Sequence, residues 1–251
     1  MIGVDFREVE AGFAAGLADV FAGRRTVLSA GRRTVLSGLN LRVAHGEIVA
    51  MVGRSGCGKT TLLNLAAGLL RPQAGEVSFS AAPHTGYVFQ DARLLPWLTL
   101  EQNLAFVAPD ASPSSVQAEL ARVGLAGRGR DYPRQVSLGM AQRASVARAL
   151  LIRPNLLLLD EPFGALDELT AAELRSELAE LLLSSRASTL LVTHNPAEAM
   201  LLADRVVALG GAPSRVRGEV AVALPRPRDP QGTDLVPYVR ELRALLSEGE
   251  A

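Results

Sequence analysis

The sequence Gly53-Arg54-Ser55-Gly56-Cys57-Gly58-Lys59-Thr60 decides how the rest of the chain is interpreted. It fits the pattern G-x-x-x-x-G-K-[ST], in which backbone N–H groups surround phosphates, the lysine contacts phosphate oxygens and the hydroxyl ligates Mg²⁺. Lys59 is the only lysine among the 26 basic residues of the chain; the others are arginines. An ammonium group on a flexible stem can donate in several directions, whereas a guanidinium is a planar fork. We therefore predict that this loop, together with Thr61, binds the phosphates of a nucleotide.

The flanking residues have the pattern that such a loop requires. Residues 47–52 form a short apolar run of strand length, and residues 59–70 follow with apolar side chains at helical spacing. A helix that begins directly after the loop adds its unpaired N–H groups and its partial positive charge to the anion site.

Composition limits the other possibilities. A chain of 251 residues suits one large domain or a domain with an inserted subdomain. The formal net charge is zero, which favours protein partners and gives no indication of nucleic-acid binding. No apolar stretch approaches the ~18 residues that cross a bilayer, and the charged first ten residues do not resemble a signal peptide, so we expect the chain to stay in the cytosol. The single cysteine, Cys57, excludes an internal disulfide.

Antiparallel strands are predicted before the loop and alternating strands and helices after it. Residues 4–9 alternate like an edge strand and residues 39–43 like another strand. Between them the octapeptide of residues 22–29 is repeated at residues 30–37, which we interpret as a local duplication in a surface hairpin. After a helical region the strand–helix alternation returns at residue 156, which predicts a mostly parallel α/β sheet covered on both faces. Ligands of such sheets bind at the carboxyl ends of the strands.

Two carboxylates follow the apolar run of residues 156–159. At the carboxyl end of a strand beside the phosphate loop, Asp160 can hold the Mg²⁺ shell while Glu161 accepts a proton from the attacking water. A strand end with solvated acids is a common alternative. The phosphate loop upstream favours the catalytic interpretation.

Four further motifs occur in a fixed order. Gln90 follows a predicted strand, Val136-Ser137-Leu138-Gly139-Met140 precedes a helix, Gly164-Ala165-Leu166-Asp167 follows the two acids, and His194 ends a strand. With the phosphate loop, this order and spacing resemble the ATP-binding cassette (ABC) ATPases over nearly the whole chain.

The resemblance implies a P-loop NTPase fold with ATP and Mg²⁺ as cofactors. Residues 1–90 and 153–225 would form a RecA-like core with an N-terminal antiparallel β subdomain, residues 91–152 an inserted helical subdomain, and residues 226–251 a C-terminal extension, all in one ABC ATPase domain. The implied metal ligands are Thr60, Gln90 and Asp160, and the implied catalytic residues are Glu161, His194 and Gln90. Ser137 and Gly139 would contact the γ-phosphate of an ATP molecule held by a second copy of the chain. Asp167 would also contact that second copy.

The chain departs from the family pattern in three places. Leu138 replaces a glycine, which adds a side chain where a phosphate should approach closely, and any positive φ required there would be strained; we therefore predict weakened ATP-driven closure. Asn195 replaces the more usual aspartate after the histidine, a mild change. The aromatic residue that stacks on adenine is assigned to Phe21, with Phe13 as the alternative; the lengthened hairpin could equally leave the adenine without a ring.

Two segments resemble one branch of the family. Residues 91–99, which include Trp97, and Leu224-Pro225-Arg226-Pro227-Arg228 look like the ATPase subunits of nitrate, sulfonate and taurine importers. The implied partners are a second ATPase subunit, membrane-spanning permease subunits and, indirectly, an extracytoplasmic solute-binding protein, with the chain peripheral on the cytoplasmic face of the plasma membrane. Trp97 is either a core anchor of the helical subdomain or a contact for the permease, or both.

Other functions remain open at this point. Thiamine precursors are an alternative cargo. The chain could instead be a soluble ABC ATPase acting on DNA or ribosomes, although only 78 residues without sustained heptads separate Lys59 from Ser137. A weakly active regulatory subunit is the third possibility, because of Leu138.

Overall fold

A computed structural model of the chain describes residues 2–14, 32–230 and 232–247. The strands are β1 (Val4–Ala14), β2 (Arg32–Val43), β3 (Ile48–Val52), β4 (Ala74–Phe79), β5 (Thr85–Val88), β6 (Leu156–Asp160), β7 (Ser188–Thr193), β8 (Arg205–Gly211) and β9 (Ser214–Ala221). The helices are α1 (Lys59–Ala66), α2 (Leu100–Val107), α3 (Pro113–Arg122), α4 (Leu138–Leu151), α5 (Glu168–Ser185), α6 (Pro196–Leu202) and α7 (Val236–Ser247), with 3₁₀ turns at Pro133–Gln135 and Thr233–Leu235.

The strands form one sheet in the order β4-β1-β2-β9-β8-β3-β7-β6-β5. Strands β8, β3, β7, β6 and β5 pair in parallel, as predicted for an α/β fold. Every residue of β3, β6 and β7 is buried, since helices cover both faces. Along β3, Ile48 and Ala50 belong to a core cluster with α4, α5 and α6, while Val49 and Met51 belong to a cluster with α1. Successive side chains of β3 point to opposite faces of the sheet and thus belong to two separate cores.

The register of these strands determines where the site forms. Val52 pairs with Thr193, and Asp160 pairs with Val192. The carboxyl ends of β3, β6 and β7 therefore lie side by side, and the residues that follow them meet at one edge of the sheet.

The N-terminal part is antiparallel, as predicted, but its arrangement differs in detail. Strand β1 lies between β4 and β2 and is not an edge strand, because β4 pairs with its free side. Both β1 and β2 are longer than the sequence pattern indicates. The first copy of the octapeptide lies outside the described residues, and the second copy supplies the first six residues of β2.

The helices also differ from expectation at one boundary. Helix α1 ends at Ala66, whereas apolar spacing predicted helix up to residue 70. Gly68 adopts a φ of +69°, which interrupts the helix, and Leu69 beyond it is 67% exposed. Helices α2, α3 and α4 lie between β5 and β6, within the segment predicted as a helical subdomain. Among the described residues, no helix combines the length and apolar character needed to cross a bilayer.

Candidate nucleotide-binding site

The phosphate loop connects β3 to α1 through two glycines with positive φ. Gly56 has a φ of +80° and Gly58 a φ of +96°, a region that residues with side chains rarely adopt. A Cβ on Gly58 would lie 2.7 Å from Cγ1 of Val35. The glycine is therefore required for both its conformation and its packing, and the loop holds its N–H groups at the start of α1.

Lys59 is buried although it is charged; only 5% of it is exposed. Its Nζ donates to the carbonyl oxygens of Gly53 at 2.8 Å and Arg54 at 3.1 Å, and lies 3.7 Å from Oε1 of Glu161. A buried ammonium needs such partners because desolvation would otherwise be costly. Phosphate oxygens could replace these oxygen atoms as partners of the ammonium group.

Thr60 and Asp160 provide the oxygen atoms expected for a magnesium site. The hydroxyl of Thr60 donates to Oδ1 of Asp160 at 3.1 Å. Burial raises the pKa of Asp160, and the hydrogen bond from Thr60 partly opposes that rise. Mg²⁺ prefers oxygen ligands and is held by one or two carboxylates together with substrate phosphates, so this pair fits the ion.

Glu161 and His194 contact each other. Nδ1 of His194 lies 3.0 Å from Oε2 of Glu161, while Oε1 of the same carboxylate faces Lys59. Glu161 adopts a φ of +44°, and its backbone N–H donates to the carbonyl oxygen of Val192 at 2.9 Å. A non-glycine residue held in the left-handed region is common at functional sites. The carboxylate is thus placed between a cation and an imidazole, where it can accept a proton.

Gln90 is exposed and lies two residues beyond β5, which pairs with β6. The side chain of Gln142 in α4 donates to the carbonyl oxygen of Phe89 at 3.2 Å. Arg148, also in α4, donates to the carbonyl oxygens of Ala92 at 2.9 Å and Arg93 at 2.8 Å. The segment that carries Gln90 is therefore attached to the helix that begins at the Ser137-Leu138-Gly139 motif.

The Ser137-Leu138-Gly139 motif forms the N-terminus of α4. Ser137 is the N-cap, and its Oγ accepts the N–H of Met140 at 3.2 Å. A Cβ on Gly139 would lie 2.5 Å from Cγ2 of Thr170 at the start of α5. Leu138 is 53% exposed and is the first residue of the helix, without a positive φ. The prediction of backbone strain at Leu138 is therefore wrong, because helical φ values suit a leucine.

Asp167 caps the N-terminus of α5. Its Oδ1 accepts the backbone N–H of Thr170 at 3.1 Å, and the hydrogen bonds with Thr170 lower the pKa of Asp167. Since Thr170 also faces Gly139, the motifs containing Gly139 and Asp167 are neighbours within one chain.

The structure describes the two candidate adenine-stacking residues to different extents. Phe21 lies outside the described residues, and Phe13 is described only as a backbone position in β1 opposite Arg33. The choice between them stays a prediction.

A family comparison agrees with this geometry. Residues 36–164, just over half of the chain, match the family described as ABC transporter. The chain belongs to the ABC transporter family. It is an ATP-binding and ATP-hydrolysing subunit, and the predicted ABC ATPase fold is confirmed.

Relatives within this family include importer subunits. The aliphatic sulfonates import ATP-binding protein SsuB 1 of Xanthomonas axonopodis pv. citri (strain 306) is 45% identical over 206 residues, which cover 77% of this chain and 82% of the relative. The bicarbonate transport ATP-binding protein CmpC of Synechocystis sp. (strain ATCC 27184 / PCC 6803 / Kazusa) is 42% identical over 76% of this chain, but only 31% of that protein is covered. A solved dimeric structure of a post-hydrolysis state of the ATP-binding cassette MJ0796, bound to ADP and Pi, is similar with a TM-score of 0.74 and 25% identity, covering 88% of this chain and 99% of that chain.

Sequence reasoning missed several residues around this ABC site. Gln142, Arg148 and Glu198 could not be recognised from the sequence, because helical periodicity does not show which polar side chains are buried.

Trp97 is 69% exposed, so its interpretation as a core anchor is wrong. A buried amide explains the loop around it: the side chain of Asn103, 1% exposed, hydrogen-bonds the backbone of Leu95, Leu98 and Thr99.

Proposed function

We propose that this ABC subunit hydrolyses ATP at the site of Lys59, Thr60, Asp160 and Glu161 to power the import of a small solute. The observation that carries the site assignment is the position of Glu161, whose carboxylate faces both Lys59 at 3.7 Å and His194 at 3.0 Å. A base beside the γ-phosphate needs a neighbouring cation to hold the phosphate and a polar group to orient the water.

Each residue of the site has a role in this proposal. The loop N–H groups and Lys59 bind the β- and γ-phosphates, and Thr60 and Asp160 hold Mg²⁺, which neutralises charge on the phosphate oxygens. Glu161 accepts the proton of the attacking water. His194 binds the γ-phosphate through a ring nitrogen, and Gln90 brings the helical segment to the metal and water.

The proposed active unit is a dimer. Ser137 and Gly139 at the N-terminus of α4 would contact the ATP of the second copy, where unpaired backbone N–H groups and the helix dipole favour an anion. The similarity to a dimeric cassette supports this arrangement.

The proposed permease contact is the loop of residues 94–97. Its tryptophan is 69% exposed, and the buried side chain of Asn103 holds the backbone beneath it. A large aromatic side chain presented on an ordered loop suits a protein interface, where such anchors contribute disproportionately. This contact would hold the subunit at the cytoplasmic face of the membrane.

The proposed cargo is an aliphatic sulfonate, because relatives that cover most of their own length in the comparison are sulfonate import subunits. Bicarbonate is the second candidate, supported by CmpC. Nitrate, taurine and thiamine precursors are further alternatives from the sequence resemblance. The permease and an external binding protein would select among these solutes.

Uptake in a reconstituted system tests this proposal. The membrane proteins that co-purify with the chain are placed in vesicles with it, and the external solute-binding protein that they recognise is added. ATP-driven uptake of labelled ethanesulfonate, taurine, nitrate and bicarbonate is then compared. We expect ethanesulfonate uptake that stops when Glu161→Gln replaces the wild type. Uptake of nitrate or bicarbonate alone would contradict the sulfonate cargo, and undiminished uptake with Glu161→Gln would contradict the catalytic assignment.

A further inference from the structure

A buried polar network lies behind His194 and is not part of the phosphate site. Glu198 in α6 is 8% exposed. Its Oε2 accepts the hydroxyl proton of Thr193 at 2.7 Å, and its Oε1 accepts from Nη1 of Arg175 at 3.0 Å. A buried carboxylate requires such partners, because an unpaired charge in the interior is costly.

Thr193 connects this network to the backbone on both sides of His194. The Oγ1 of Thr193 donates to Glu198 and also accepts the backbone N–H of Asn195 at 3.0 Å. The residues before and after His194 are therefore joined through one hydroxyl group. The side chain of His194 is itself 59% exposed, so little packing around the ring can fix its direction.

Arg175 extends the network to the N-terminus of α5. Its Nη2 lies 2.5 Å from Oε1 of Glu168, the residue that follows Asp167. Burial lowers the pKa of Arg175, but the hydrogen bonds with Glu168 and Glu198 outweigh that effect and raise it, so the guanidinium stays charged. A continuous path of contacts thus runs from the start of α5 to Thr193 and Asn195, the residues on either side of His194.

We propose that Glu198 and Arg175 are positioning residues that hold His194 in contact with Glu161, and that they link this contact to the placement of the α5 N-terminus. The inference rests on the proposed roles of His194 and Glu161. Neither Glu198 nor Arg175 contacts the phosphate loop in this network. Their loss should lower the rate of hydrolysis much more than the affinity for ATP, because the loop N–H groups and Lys59 bind the phosphates without them.

The first test is Glu198→Gln, which keeps the size of the side chain and removes its charge. We expect kcat for ATP hydrolysis to fall about tenfold or more, since a small misplacement of a catalytic group has effects of this size, while the Kd for ATP changes less than about twofold. Glu47→Gln is the matched control, because Glu47 forms a mostly buried ion pair with Arg205 next to the amino end of β3, away from the candidate site. An unchanged kcat in Glu198→Gln, or an equal loss in Glu47→Gln, would overturn the proposal.

Thr193→Val and Thr193→Ser provide a second test that does not depend on the folding of Glu198→Gln. Valine has the shape of threonine without the hydroxyl group, and serine restores the hydroxyl. We expect Thr193→Val to reduce kcat and Thr193→Ser to recover most of it. Equal activity of the two variants would contradict the proposed role of the hydroxyl.

A double-mutant cycle separates this inference from the proposed function. If Glu198 acts through His194, Glu198→Gln has no further effect on kcat in a His194→Ala background, whereas independent effects would multiply. Multiplied effects would refute the positioning role while leaving the catalytic assignment intact. If His194→Ala and Glu161→Gln both hydrolyse ATP normally, the catalytic assignment itself fails.

Discussion

At the scale of single residues, the site is organised around charged side chains that partner one another. The Nζ of Lys59 is satisfied by two carbonyl oxygens and faces Glu161 at 3.7 Å. Because one lysine serves both the loop backbone and the phosphates, its removal should affect binding more than any other single change in the loop.

We expect Lys59→Ala to weaken ATP binding by about 10- to 100-fold, since a hydrogen bond to a charged group contributes roughly 1.5–3 kcal/mol. Lys59→Arg should restore little of this affinity, because a planar guanidinium does not replace a compact ammonium. Calorimetric titration with ATP measures the loss, and thermal unfolding of the same variants shows whether the fold is retained. Wild-type affinity in folded Lys59→Ala would contradict the role of this residue.

Cys57 permits a prediction about reactivity from the same loop. Burial raises the pKa of the Cys57 thiol, and the nearby charge of Lys59 only partly opposes this. Because the thiolate is the reactive form, we expect iodoacetamide to modify Cys57 more slowly than glutathione at neutral pH and faster as the pH rises. Mass spectrometry follows the reaction at this single cysteine. A rate at neutral pH equal to that of glutathione would disprove the expectation.

At the scale of elements, helix α4 connects three of the motifs. Ser137 caps its N-terminus, and Gly139 packs against Thr170 of α5. Gln142 and Arg148 hold the backbone on both sides of Gln90 through the carbonyl oxygens of Phe89 and Ala92. The position of α4 thus depends on contacts at both of its ends.

The contact between α4 and α5 can be tested by a change in size. We expect Gly139→Ala to destabilise the fold by about 1 kcal/mol, because the added methyl group would lie 2.5 Å from Cγ2 of Thr170. Thr170→Ser removes that methyl group and should abolish the cost of Gly139→Ala. Urea unfolding of the four variants of this cycle provides the measurement. A Gly139→Ala cost that is the same in both backgrounds would show that Thr170 is not the obstacle.

Leu138 is tested by function. Its exposed side chain lies at the helix end proposed to approach the phosphates of the second copy, so we expect Leu138→Gly to strengthen ATP-dependent dimerisation and to raise the rate of hydrolysis. Leu69→Gly is the control for a general loss of apolar surface, because Leu69 is also exposed but lies outside the helices and away from the candidate site. If dimerisation and hydrolysis are both unchanged in Leu138→Gly, the leucine does not impede closure.

At the scale of the whole molecule, the sequence predicted the sheet class and the edge where the site forms. The strand ends could be predicted because buried parallel strands are continuous apolar runs. In this chain the three strands end at Val52, Asp160 and Thr193. The predicted end of α1 was wrong because the apolar spacing continues past Gly68, beyond the point where the helix ends. The network of Glu198 and Arg175 could not be predicted, since its partners come from separate elements that only tertiary packing brings together.

We propose that Glu161 is the catalytic base of an ATP-dependent dimer. The most direct measurement is the mass of Glu161→Gln in solution with ATP and Mg²⁺, determined by light scattering together with the amount of bound nucleotide. We expect a stable dimer that retains two ATP molecules, because binding remains while hydrolysis stops. A monomer that turns over ATP at the wild-type rate would contradict it.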